Sequence, residues 1–349
     1  MTADTNHDPR VARALASLRG LAVGDALGAQ FSHPGSHPLL RRRLLPDGPW
    51  RWTDDTEMAA SVVAALAADH RVDQDGLVAA FARRHDPARG YGRGTDWLLE
   101  QIRDGGDWRD LSAGMFKGHG SWGNGAAMRV APLGAWYAGD AEQATHQAEI
   151  SAYPTHQHRE AVVGAMAVAA AAALAADPAG PPTGGTLLDT VVELVPRSAV
   201  EAGLRRARDM LDYRDAGTVA AVLGCGRRAT AHDTVPFCLW SAARGLDDYE
   251  AAFWRTAQAG RRHRHHLRHR RGVLASAGTP PPPSGPSAPN RSRPGWGGPR
   301  GVRTTARTGR PPVRLPLPAP GTCSSRPGPE SVTVMPQRAA GRGGRPDPG

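Results

Sequence analysis

Residues 161–176, AVVGAMAVAAAAALAA, contain no charged or hydrogen-bonding side chain. Alanine is the best helix former, and the run is too long for an ordinary strand, so the segment reads as a helix. A helix that is apolar on every side has to be covered on every side. Sixteen residues rise about 24 Å, short of the ~30 Å hydrocarbon core of a bilayer. A buried helix of a soluble protein is therefore expected, not a membrane span.

Residues 10–255 supply the helices to bury it. Leu15, Leu18, Ala22 and Asp25 follow i, i+3, i+4 spacing, as do Met58, Val62 and Leu66. Residues 198–212 (SAVEAGLRRARDMLD) form a further helix. DPAGPPTGGT, residues 177–186, is a Pro/Gly loop inside the helical region. No stretch alternates as a strand would, and no internal repeat is present. The fold class expected is all-α, a compact multi-helix bundle.

The composition breaks near residue 260. Eighteen of the 31 prolines lie between residues 280 and 348, and apolar periodicity ends. Such a segment cannot bury enough apolar surface to offset its ordering entropy. The expected organisation is a flexible N-terminus (1–9), a helical domain (10–275) and a disordered Pro/Gly/Arg-rich tail (276–349). The net charge of +10 divides at the same place. Residues 261–349 hold 17 Arg, no Lys, and Glu330 and Asp347 as their acids, whereas residues 1–260 carry 26 basic and 31 acidic residues. The tail has Trp296 as its one aromatic residue and no groove-fitting element, which disfavours nucleic acid as a partner.

Cys225, Cys238 and Cys323 lack C-x-x-C spacing and are too few for a disulfide framework. The polar start MTADTNHDPR has no apolar signal region. A cytoplasmic protein with no membrane partner is expected.

Four segments carry candidate chemistry. In WTDDTEMAASVVAAL, residues 52–66, Asp54 with Glu57 three residues on has the form of a capping box. Thr53, Asp54 and Asp55 then stand at a helix N-terminus. A cap needs one acid; a hydroxyl and two carboxylates are hard oxygen ligands suited to Mg²⁺ or Mn²⁺. In GLAVGDALGAQF, residues 20–31, Asp25 lies on the apolar face of its helix and needs a partner, either a neighbouring helix end or a site. KGHGSWGNGAAMRVAPLG, residues 117–134, is a glycine-rich loop able to present backbone N–H groups to phosphate, though it lacks the GK[ST] of a P-loop. SAYPTHQHREAVVGAMAVA, residues 151–169, places His156 and His158 before the apolar helix, as a cap, packed residues or an H-x-H metal pair.

In this order, G-D-A-L-G at 24–28, T-D-D-T at 53–56, G-x-G-S-x-G-N-G-A-A-M-R at 118–129 and T-H-x-H at 155–158 resemble the ADP-ribosylglycohydrolase family. VPFCLWSA at 235–242 matches the family's late helix, and the resemblance covers roughly residues 10–258. It implies an all-α fold around a cleft with two Mg²⁺ or Mn²⁺ ions. It also implies hydrolysis of the glycosidic bond between ADP-ribose and a protein side chain or related acceptor. The partner would be an ADP-ribosylated protein or an ADP-ribose-containing small molecule. On this resemblance Thr53, Asp54 and Asp55 are metal ligands, with Asp54 and Asp55 serving catalysis. Gly120, Ser121, Gly123 and Asn124 hold the diphosphate and distal ribose, and His156 lines the cleft. Asp25 has a structural, positioning role.

The resemblance also implies a second metal cluster, G-G-D-T-D-T, after the VPF helix. The chain has GRRHRHHLRHRR there instead, residues 260–271. Written in C-ending codons and read after one inserted C, G-G-D-T-D-T-T-C-A-I-V-G gives those twelve letters. Residues 261–271, and most of the chain after 283, read as a frameshift product, leaving at most a partial metal site and impaired hydrolysis. The alternatives are a catalytically inactive ADP-ribose-binding module, nucleic-acid binding through the tail, and metal binding by His263, His265, His266 and His269. The six arginines among those histidines oppose the last.

Overall fold

In the computed structural model, residues 8–32 and 34–259 are described. They form fourteen α-helices: α1 (Pro9–Gln30), α2 (His37–Arg42), α3 (Asp54–Asp69), α4 (Gln74–Arg84), α5 (Arg93–Arg103), α6 (Trp108–Gly118), α7 (Ala131–Trp136), α8 (Ala141–Ala152), α9 (Arg159–Ala175), α10 (Gly184–Leu194), α11 (Ala199–Asp209), α12 (Ala216–Leu223), α13 (Val235–Ala243) and α14 (Tyr249–Ala259). Among the described residues there is no strand, and one isolated antiparallel bridge pairs Gly123 with Thr230. The all-α expectation holds. Residues 8–32 and 34–259 all fall within one compact unit. A second unit, residues 302–349, lies outside the described residues, as do the 260–271 string, Cys323 and the tail expected to be disordered.

The apolar run is α9, and every residue from Ala161 to Ala173 is buried. Its small side chains allow close approach: a Cβ on Gly134 of α7 would run into the Ala169 carbonyl, and one on Gly164 would stand 2.8 Å from the Ala231 side chain. His158 caps α9, its Nδ1 accepting from Glu160 N at 3.1 Å. Glu160 in turn accepts from Ala199 N and Val200 N, both at 2.9 Å, and so caps α11. The first turn of α9 therefore fixes where α11 begins.

Some local details differ from expectation. The buried stripe of α1 runs through Ala14, Ser17, Leu21, Gly24, Asp25 and Gly28, while Leu15 is 36% exposed. Close packing of α1 on α3 and α7 selects small residues for the covered face, and Leu15 turns outward. α1 starts at Pro9 with Asp8 as its cap. α10 starts at Gly184, inside the expected loop, because the Thr183 hydroxyl accepts from Thr186 N and caps a helix there. Ser198 caps α11, which ends at Asp209. Cys225 and Cys238 are not joined in a disulfide. Among the described residues no helix is long and apolar enough to cross a membrane.

Candidate functional site

The start of α3 gathers the first cluster. The cap is Thr53, with extended backbone and its hydroxyl accepting from Asp55 N at 3.4 Å, so Asp54 is the first helical residue. This corrects the expected capping box. Glu57 does not reach back to the cap; its Oε1 accepts from Asp86 N at 3.1 Å and from the Tyr91 hydroxyl at 2.9 Å.

Asp25 explains why Thr53 is the cap. Its carboxylate, 1% exposed, accepts from Thr53 N and Thr53 Oγ1, each at 2.7 Å, and from Thr56 Oγ1 at 2.6 Å. The core-facing acid is bonded to a neighbouring helix end. Burial raises its pKa, against the hydrogen bonds from Thr56 and Thr53.

Asp54 and Asp55 are also buried. Burial, then the charge of Asp25, pushes Asp54 up to about 7. The same causes, with Asp54 added, raise Asp55 well above the carboxylate range. Neither oxygen of Asp55 has a hydrogen-bond partner. A fully buried carboxylate with two unpartnered oxygens is costly in a bare protein and suited to a cation. With Thr53 and Asp54 it presents the hard oxygen donors that Mg²⁺ or Mn²⁺ takes. These residues fit one side of such a site. Among the described residues no group of three or more His, Cys, Asp or Glu is gathered to hold a metal, so the H-x-H pair finds no companions there and the far side of the cation site is not supplied by them.

The second cluster is the glycine loop. α6 is interrupted at its end: Phe116 and Lys117 take left-handed backbone at φ 52° and 63°. Gly120 follows at φ 69°, where an added Cβ would stand 2.8 Å from His158 N. The Ser121 hydroxyl accepts from Gly123 N at 3.3 Å. Asn124, buried, donates its N–H to the Ala229 carbonyl at 3.0 Å, and Ala231 N donates to the Trp122 carbonyl at 3.1 Å. The 224–234 loop thus clamps the glycine loop. Sequence reasoning missed this clamp.

His156 lies beneath the loop and is 2% exposed. Its Nδ1 and Thr155 Oγ1 share a 2.8 Å hydrogen bond. Its ring lies flush against the loop: a Cβ on Gly125 would be 2.7 Å from Cε1, and one on Gly123 would be 3.3 Å from Nε2. Burial, then the charge of Arg129, lowers its pKa to about 3, so the ring is neutral.

Arg129 joins the two clusters. It is fully buried, donates to the Ser151 carbonyl at 2.6 Å and to Met58 Sδ of α3 at 3.7 Å, and lies 4.6 Å from the Phe81 ring centre. Burial without an acid partner lowers it to about 9.

Three more aromatic residues border these clusters and were not singled out from the sequence. Trp122 is 52% exposed and meets His158 edge-on at 5.4 Å; Phe116 is 57% exposed. Arg89 stacks 3.5 Å over Trp52, donates to its carbonyl, and lies 3.8 Å from Glu57. A tryptophan inside a glycine-rich loop was the available signal; the Arg89 stack had none.

The ADP-ribosylglycohydrolase sequence model matches residues 6–264. The chain belongs to the ADP-ribosylglycohydrolase family. It is similar to ADP-ribosylhydrolase ARH3 of Gallus gallus, 31% identical over 188 residues, covering 48% of this chain and 51% of that protein. For ADP-ribosylhydrolase ARH3 of Homo sapiens the values are 34% over 177 residues, 45% and 48%. The chain thus spans about half the length of these curated relatives. Among solved structures, one described as an ADP-ribosylglycohydrolase-related protein complex aligns at TM-score 0.54 and 27% identity, over 77% of this chain and 87% of that one.

Proposed function

We propose that this chain binds ADP-ribose-bearing proteins or small molecules and carries one half of the divalent-cation site for cleaving their glycosidic bond, so that hydrolysis by the chain as written is impaired. The observation that carries this reading is Asp55, fully buried with both oxygens unpartnered beside Asp54. Thr53, Asp54 and Asp55 would hold Mg²⁺ or Mn²⁺, which supplies Lewis-acid chemistry to ribose hydroxyls and to a water.

The chain's own residues do the rest. Asp25 fixes Thr53 and so the direction of the two following carboxylates. Gly120, Ser121, Gly123 and Asn124 frame the subsite for the diphosphate and distal ribose. The N–H groups of Gly120, Gly123 and Asn124 are held by the Met115 carbonyl, Ser121 Oγ and the Ala229 carbonyl, and the serine hydroxyl keeps its proton to donate to the phosphate. Neutral His156 sets the shape of that loop from below and contributes no positive charge to the phosphate subsite. The exposed rings of Trp122 and Phe116 offer faces on which a base can stack.

The missing half follows from the string at 260–271, which stands where the family's second Asp-rich cluster falls and matches it one nucleotide out of register. The coding DNA tests this directly: codons other than the C-ending set across these residues would refute the slip. A gene recoded without the slip and the chain as written are then compared for ADP-ribose release. The recoded protein is expected to be faster by on the order of a hundredfold or more. Equal rates would overturn the broken-site reading. A second reading, an inactive ADP-ribose-binding module, is favoured by the lack of a fuller metal cluster among the described residues. Calorimetric binding of ADP-ribose with no turnover would select it.

A further inference from the structure

Away from the residues assigned to substrate, α11, the length of α12, the 224–233 loop and α14 line a groove of about 1400 Å³. Arg43, Arg206, Arg214, Arg227, Arg228 and Arg255 face it. So many cations in one place are unexpected in a stretch, residues 1–260, where acids outnumber bases.

The two acids in the groove each hold backbone N–H groups. Asp215 caps α12 by accepting from Thr218 N at 2.8 Å, and Asp233 accepts from Cys225 N at 3.1 Å and Arg228 N at 2.8 Å. Among the described residues no carboxylate pairs with the side chain of Arg206, Arg214, Arg227 or Arg228. Arg43 and Arg255 donate to neutral acceptors, Gln258 Oε1 and the Ser241 carbonyl. Burial, then the charge of Arg244, lowers the pKa of Arg255, with Asp248 opposing the shift and Arg43 adding to it.

The residues that follow directly in sequence add no negative charge. Ala259 lines the groove, and the next residues, 261–271, bring six more arginines and no acid. The volume exceeds the ~300–1,000 Å³ of ordinary small-molecule sites. Among the described residues no Phe, Tyr or Trp lines the groove, so bases find nothing to stack on. Between the arginines lie Ala220, Leu223 and Val222, the last 49% exposed. That mixture suits short side chains alternating with carboxylates, which the planar arginine fork takes in pairs.

We propose that this groove docks an acidic peptide segment of a partner protein. The test uses the full chain, so that the tail's arginines are present throughout. A short fluorescein-labelled Glu/Ala peptide and an oligo-dT of equal charge are titrated by anisotropy at physiological salt. The probes are compared on the wild type, on Arg227→Glu/Arg228→Glu, on Arg206→Glu and on Arg83→Glu, an exposed position outside the groove; helical melting curves confirm that each folds. Peptide affinity is expected to fall at least about tenfold in both groove variants and to be unchanged in Arg83→Glu. Absence of peptide binding to the wild type, an equal loss in Arg83→Glu, or retention in the groove variants would overturn the proposal. So would a loss of oligo-dT binding on the groove substitutions as large as the loss of peptide binding.

Discussion

Asp25 holds Thr53 at two points, the backbone N–H and the hydroxyl, each 2.7 Å from a different carboxylate oxygen. A residue on α1 thereby sets the cap of α3 and the aim of Asp54 and Asp55. Removing the carboxylate leaves the Thr53 N–H and two threonine hydroxyls without their acceptor. Asp25→Ala is expected to lower stability by roughly 2–4 kcal/mol, and Asp25→Asn by less, because one amide oxygen remains. Urea midpoints of the two variants check the order.

Asp55 gives the opposite expectation. Its folded pKa is raised, so between the unfolded value, 3.8, and the folded one the folded state binds more protons. Stability therefore falls as pH rises through that window. Asp55→Asn removes the buried charge and is expected to raise the Tm at pH 7.5 in chelator by on the order of 5 °C, with no gain at pH 4. Adding Mn²⁺ should stabilise the wild type and leave the variant unmoved. A lower Tm for the variant in chelator at pH 7.5 would contradict the account.

His156 titrates in the other sense. Its pKa is lowered from 6.5 to about 3, so across that window the unfolded state binds the extra proton. The contribution is present in full above pH 6.5 and is lost as pH falls toward 3. His156→Gln cannot be protonated there. The difference in denaturation midpoint between wild type and variant is expected to narrow on acidification from pH 7 to pH 4.

Trp122 is exposed, so its loss should spare the fold and reach the ligand. Trp122→Ala is expected to weaken ADP-ribose binding by about tenfold with an unchanged Tm, since base stacking is worth ~1–3 kcal/mol. An unchanged Kd in calorimetry would remove the ring from the site.

Much of the fold was legible because one property dominated each segment. An uncharged alanine run has one stable place, and α9 occupies it. Thr53, Asp54 and Asp55 were legible as a helix start because polar residues before an apolar period mark one. The identity of the cap was not, because it depends on Asp25, 28 residues earlier in the chain. Leu15 misled because helix spacing reports a periodicity, while close packing on α1 rewards small side chains over large ones. The clamp by residues 224–234 and the arginine groove were illegible for a common reason: their members come from separate helices and loops and meet only in three dimensions.

The first turn of α9 carries a further meaning. Gly120 of the glycine loop sits against the backbone of His158, and two residues on Glu160 grips the start of α11, whose residues line the arginine groove. The same turn therefore touches both places. Occupancy of either that shifts this turn is felt at the other, and thermodynamic reciprocity makes the two effects equal in size.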